Sequence, residues 1–202
     1  INYSVRDADS TGGSSTPGYI TPSFEYSLNG GSTWTNVTST DLGASDLSNK
    51  AVDESTYNIY EATWDAETAV GSSVYVTNAQ IRVTADDNEG GNNTATSTTA
   101  NFTLDTTPPS FGSPDMTVDA SVSPADVTIT CTDDTAIQQK TGLSSDLSDG
   151  SYSSYTGTTT ASGVGTPSDI VYGQCKDAHG NETAIQSVTT PTQPTSMFYQ
   201  DI

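Results

Sequence analysis

The chain has 202 residues, 32% of them apolar and 15% charged, with 5 basic residues against 25 acidic ones and a formal net charge of −20. So few Lys and Arg exclude a nucleic-acid partner and an anionic membrane surface, both of which need clustered positive charge. No apolar run approaches the ~20 residues that span a bilayer, so membrane insertion is not expected.

Low hydrophobicity with high net charge is also the composition of disorder. Here, however, the apolar residues gather in short alternating runs that contain the aromatics. Thr, Val and Tyr suit a pleated, half-exposed surface, so a thin-cored all-β protein is expected. Ile1-Asn2-Tyr3-Ser4-Val5 opens the pattern, with no initiator Met or leader-like stretch before it. A processed mature form or an excised piece is expected from that start. Ser23 to Leu28 alternates again, Asn29-Gly30-Gly31 turns the chain, and Trp34 to Val37 runs back. Asn-Gly favours tight hairpins because both residues tolerate positive φ. Leu42 to Glu54 is rich in Ser and Asp and is expected to be loop. Further strands are expected over Tyr57–Trp64, Ser73–Val76, Ala79–Ala85 and Thr98–Leu104.

Asp105-Thr106-Thr107-Pro108-Pro109 interrupts this series. Two prolines lack amide donors, so a sheet cannot run through them, and a domain boundary is expected here. The pattern then restarts at Met116–Val118, Val127–Cys131, Tyr152–Thr160, Ile170–Lys176 and Ala184–Thr189, with Ala136–Asp149 expected as loop. The tail Pro191–Ile202 carries an apolar cluster at Met197, Phe198 and Tyr199. Short strands at this spacing, twice over, predict two tandem β-sandwich domains, residues 1–106 and 107–202, the second with a C-terminal extension. The halves echo one another: Gln80 to Gly90 and Val171 to Asn181 are each an alternating strand that ends in Asp and a Gly/Asn turn.

The Asp177-Ala178-His179-Gly180-Asn181 ending, the Asp105–Pro109 junction and the segment Tyr26 to Trp34 resemble prokaryotic surface-protein modules. These are the bacterial immunoglobulin-like, fibronectin-type-III-like and hyalin-repeat families, and the resemblance covers most of the chain. It implies stacked immunoglobulin-like domains that act as spacers or adhesive modules without catalysis. In such sandwiches a bridge between the second and the penultimate strand pins the sheets, which implies a disulfide between Cys131 and Cys175. Two buried free thiols are the alternative. The second domain has no Trp to pack on such a bridge, a departure from the antibody pattern. If formed, the bridge places the protein outside a reducing cytosol.

Ser27-Leu28-Asn29-Gly30-Gly31-Ser32-Thr33-Trp34 matches the Asp-box hairpin of sialidase-type propellers, with Asn29 in place of Asp. A single copy in a chain this short cannot build a propeller, and Arg6 and Arg82 are too few for its arginine cluster. The motif is therefore expected to be a folding device. His179, the one histidine, lies in a turn signature, and no nucleophile elbow occurs, so no enzymatic activity is expected. Calcium is the cofactor the acids suggest, through Asp7 and Asp9, Asp86 and Asp87, Asp105, or Asp133 and Asp134, although none has the EF-hand spacing. Sequons at Asn2, Asn36, Asn92, Asn101 and Asn181 suit a secreted or cell-surface location.

The expected function is a structural subunit or segment of an extracellular fibre, appendage or surface layer. Its partners are copies of itself or flanking surface domains. Strand addition is expected at the termini, through Ile1, Tyr3 and Val5 or through Met197, Phe198 and Tyr199. The alternative is an adhesin that holds glycan or protein on loops, with Tyr152 and Tyr155, or Tyr57 and Tyr60, as an aromatic platform.

Overall fold

A computed structural model of the chain describes residues 1–7, 18–43, 46–88, 94–122, 124–161, 164 and 168–191. Asp9, Met197, Phe198 and Tyr199 lie outside them, as does the sequon at Asn92. The chain divides into two units, Ile1–Thr107 and Pro108–Ile202. Each is an antiparallel β-sandwich. No helix among the described residues is long and apolar enough to cross a membrane.

Unit 1 contains β1 (Asn2–Val5), β2 (Tyr19–Ser27), β3 (Thr35–Asn36), β4 (Lys50–Ala51), β5 (Asn58–Glu61), a short helix α1 (Ala66–Val70), β6 (Tyr75–Asp86), β7 (Thr94–Thr98) and β8 (Phe102–Asp105). One sheet is β1 paired with β5; the other runs β3-β2-β6-β7, with β4 also on β2 and β8 also on β6. Alternation along β2 buries Ile20, Pro22 and Phe24. Pro22 is tolerated inside this strand because β4 covers only Tyr19 and Ile20, and β3 only Glu25 and Tyr26. No outer neighbour asks for its missing amide.

The core of unit 1 joins Tyr3 from one sheet to Phe24 from the other, with ring centroids 5.5 Å apart and planes at 79°. This edge-to-face arrangement is the favoured one for aromatic pairs. Tyr60 packs on Tyr3 at 5.9 Å, and Trp64 stacks on Tyr26 at 5.4 Å. The hairpin after β2 satisfies its own backbone: Ser27 Oγ accepts from Gly31 N at 2.9 Å, and Asn29 Oδ1 accepts from Thr33 N at 2.9 Å. Gly30 and Gly31 take φ of 66° and 83°, which side chains disfavour.

Unit 2 contains β9 (Ser110–Asp119), β10 (Ala125–Thr132), β11 (Gln138–Gly142), β12 (Ser153–Ser154), β13 (Thr158–Ala161), β14 (Ile170–Lys176) and β15 (Gln186–Thr189). Its sheets run β13-β10-β9 and β12-β11-β14-β15. β10 and β14 alternate cleanly, burying Ala125, Val127, Ile129 and Cys131 against Val171, Gly173 and Cys175. Cys131 and Cys175 form a disulfide across the two sheets, with Cα atoms 6.7 Å apart. A bridge joining β10 to β14 is the immunoglobulin-like placement, and it is at home in an oxidising compartment. Strand β9 is longer than the expected Met116–Val118 and includes Pro114, which falls where the register against β10 shifts. An edge strand with an irregularity is where a sheet accepts proline.

The two units share a strand plan. In chain order β1, β2, β3, β5, β6 and the broken pair β7/β8 correspond to β10, β11, β12, β13, β14 and β15, with the same partners in the same sheets. Their last strands also end alike. Thr106 N donates to Val74 O at 2.8 Å, and Thr190 N donates to Asp169 O at 2.8 Å, each acceptor being the residue just before β6 or β14. Among the described residues, the strand of unit 2 with no counterpart in unit 1 is β9.

Candidate functional site

The acidic residues that suggested calcium are mostly engaged by their own turns. Asp133 Oδ2 accepts from Thr135 N and Oγ1 at 2.9 and 2.6 Å. Asp86 Oδ1 accepts from Asn88 N at 2.8 Å, and Asp105 Oδ1 accepts from Thr107 N at 2.9 Å. Asp7 is buried and its amide donates to Asp53 O at 3.2 Å. Asp87 is half-buried and Asp134 is exposed. Neither unit by itself brings three His, Cys, Asp or Glu ligand atoms within 4.8 Å of one another among its described residues. His179 belongs to a turn as well: Asp177 Oδ1 accepts from His179 N and Asn181 N at 2.8 and 2.9 Å.

The Tyr152 and Tyr155 platform does not form, because both residues are committed to unit 2 itself. The Tyr155 hydroxyl accepts from Cys131 N at 3.0 Å and donates to Ile129 O at 3.1 Å. Tyr152 donates to Gln174 Oε1 at 2.9 Å, and its ring is covered by Lys176 at 4.1 Å and Lys140 at 5.4 Å. Burial first, and then the Glu182 carboxylate, raise the Tyr152 pKa. The cations of unit 1 are used in the same way. Arg6 lies over Tyr57 at 5.0 Å, Lys50 over Tyr60 at 5.7 Å, and Arg82 over Trp34 at 4.3 Å. Tyr57 remains 59% exposed, whereas Tyr60 donates its hydroxyl to Ala51 O at 2.6 Å.

The N-terminal segment also departs from expectation. Ile1, Tyr3 and Val5 are not free to be donated, because β1 is paired in register with β5, Tyr3 opposite Tyr60, and Tyr3 is buried in the core. What β1 offers is its other edge. Ile1 and Ala62 exchange both backbone hydrogen bonds, at 2.6 and 2.9 Å. By the alternation of an antiparallel ladder, Tyr3 and Val5 also bond β5, while Asn2 and Ser4 turn their amides and carbonyls away from it. Among the described residues no strand pairs with that side.

A trough follows this open edge. One part, of about 270 Å³, is lined by Asn2, Tyr3, Ser4, Ile81, Val83 and Thr98, among others. A second part, of about 190 Å³, continues past Ser4, Val83 and Ser97 to Arg6, Ile20 and Tyr57. Its far bank is β7, an edge strand of Thr, Ala and Ser exposed along its whole length. Ile81 and Val83 give the trough apolar lining, and Arg6 carries the single charged side chain along it. The two parts lie end to end along a strand rather than converging on a point as the polar groups of a small-molecule pocket do. Unpaired amides beside apolar lining are what an added strand requires. No family model matches the chain, and neither the curated proteins nor the solved structures include a match.

Proposed function

We propose that this protein is a non-enzymatic structural segment of a secreted fibre, appendage or surface layer, and that its units join by β-strand addition. The observation that carries this reading is the open edge of β1 beside the trough. Natural sheets guard their edges with Lys, Pro or inward charges, and an edge left unguarded templates another strand. Neither β1 nor β7 carries a charged residue, in a chain of net charge −20. The disulfide of unit 2 and the polar turns, tied to their own backbone, suit a spacer exposed to an oxidising exterior.

The test is assembly. Negative-stain electron microscopy and sedimentation of the purified chain should show particles that lengthen with concentration. Ser4→Pro removes an amide that faces the open side while leaving the β1–β5 bonds in place, and it should abolish them. Assemblies that persist unchanged in Ser4→Pro would refute the reading.

A further inference from the structure

In unit 2 the strand β9 pairs with β10 and also runs beside β15. Its counterpart position in unit 1, between β1 and β7, is the trough. Phe111, Met116 and Val118 of β9 enter the core of unit 2, and Met116 lies against Gly173, where an added Cβ would meet its sulfur at 2.8 Å. A strand in the unit 1 trough would therefore carry apolar side chains towards Ile81 and Val83.

We propose that the strand which fills this trough is the C-terminal segment of a second copy of the chain, the residues that follow Pro194. The proposal rests on the strand-addition reading above and names its donor. Three observations point to this segment. The first is position in the series: Thr106 and Thr190 make the same backbone bond at the end of equivalent strands. After Thr106 come Thr107, two prolines and then β9; after Thr190 come Pro191, Pro194 and then Met197, Phe198 and Tyr199. The tail thus stands in the sequence where β9 stands. The second is charge. Asp201 is the one charged side chain after Pro191, although the chain holds 25 acids, and Arg6 is the one charged side chain of the trough. The third is order. β9 completes the unit that follows it, not the one it leaves, so the tail completes a unit that comes after unit 2. In a preparation that contains this chain alone, the unit with an open trough is unit 1 of another copy.

The experiment compares the full chain, a chain ending at Pro191, and Ser4→Pro in the full chain, using sedimentation velocity across a concentration series and amide hydrogen exchange. The full chain should associate and protect the amides of Asn2 and Ser4, while the shortened chain should be monomeric and exchange rapidly there. A synthetic peptide of residues 192–202, added to the shortened chain, should restore the protection. That arm does not depend on how well Ser4→Pro folds.

Association that survives the truncation but not Ser4→Pro overturns the tail as donor and leaves the open-edge reading standing. Association that survives both overturns the two together. A full chain that stays monomeric with Asn2 and Ser4 unprotected also overturns both. A monomer whose protection is lost on truncation shows the tail folding back onto its own unit 1, and overturns the second copy as partner.

Discussion

The hydroxyl of Tyr155 accepts the amide of Cys131 at 3.0 Å, so a side chain closes the ladder of β10 beyond the first residue of β13. The strand β13 begins opposite Thr128, and Gly157 O accepts Ile129 N before the two chains part. Tyr155 then finishes the edge with one oxygen that also donates to Ile129 O. Tyr155→Phe keeps the ring and removes both bonds. It should cost about 1–3 kcal/mol, the penalty for a buried amide left unpaired. Urea denaturation measures it, and an unchanged midpoint would mean that the hydroxyl contributes nothing.

The disulfide closes a loop with a sequence separation of 44. In the chain-entropy model a loop of this length contributes about 4 kcal/mol by restricting the unfolded state. Replacing Cys131 and Cys175 together by Ala should lower the stability of unit 2 by roughly that amount, plus a small packing loss. Reducing the wild-type bridge should reproduce most of the effect.

Tyr3 is buried, and its hydroxyl has no hydrogen-bond partner. Burial, reinforced by the Asp46 carboxylate and by Tyr60, pushes its pKa up to about 12. Tyr3→Phe should be neutral or stabilising, by up to about 1 kcal/mol, because no bond is lost and a desolvation cost disappears. The folded value lies above the ordinary one near 10, so folding favours the neutral phenol. The stability this lends is whole below about pH 10 and is lost as pH climbs towards 12. Alkaline melts should show the variant gaining on the wild type across that window. A variant that melts earlier at neutral pH would contradict this account.

Asp149 anchors the loop between β11 and β12: its carboxylate accepts from Leu143 N at 2.7 Å and from Ser144 N at 3.2 Å. The Leu143 amide is the main reason its pKa lies below the usual aspartate value. The folded state therefore binds this proton less readily than the unfolded chain. Its stabilisation is complete above the ordinary aspartate pKa of about 4 and is lost as pH falls through the depressed value. Melting-temperature differences between wild type and Asp149→Ala should be constant above about pH 5 and should vanish in stronger acid. A gap that persists there would assign the effect to packing rather than to charge.

Much of the fold was legible because strand alternation is a local signal. Val127–Cys131 and Ile170–Lys176 fall within observed strands, and Ser23–Leu28 does so up to Ser27. Strand β11 was missed, since Gln138–Gly142 lies in the expected loop Ala136–Asp149 and has no apolar residue to alternate; the other features missed are relational. Leu147 is a lone apolar residue in a Ser- and Asp-rich stretch, yet it is fully buried with φ of 54°. No periodicity marks a single anchor of that kind. Gln139 is fully buried as well, and Thr156 meets both ends of its amide, at 3.2 and 3.3 Å. The apolar character of Ile1, Tyr3 and Val5 was plain, but whether such a strand gives or receives depends on what lies on each side of it. Only the pairing of β1 with β5 decides that.

All five basic residues, Arg6, Lys50, Arg82, Lys140 and Lys176, lie over an aromatic ring, and Arg82 also pairs with Glu25 at 2.6 Å. The protein thus spends its cations as lids on tyrosine and tryptophan, and the net charge of −20 is left to repel itself. Brine should act on it as a tonic. Screening within about 10 Å at 0.1 M ionic strength quiets the repulsion among carboxylates and dissolves few attractive pairs. Thermal melts from dilute buffer to molar sodium chloride should climb steadily, and a melting temperature that falls with salt would show that attractive pairs outweigh the repulsion.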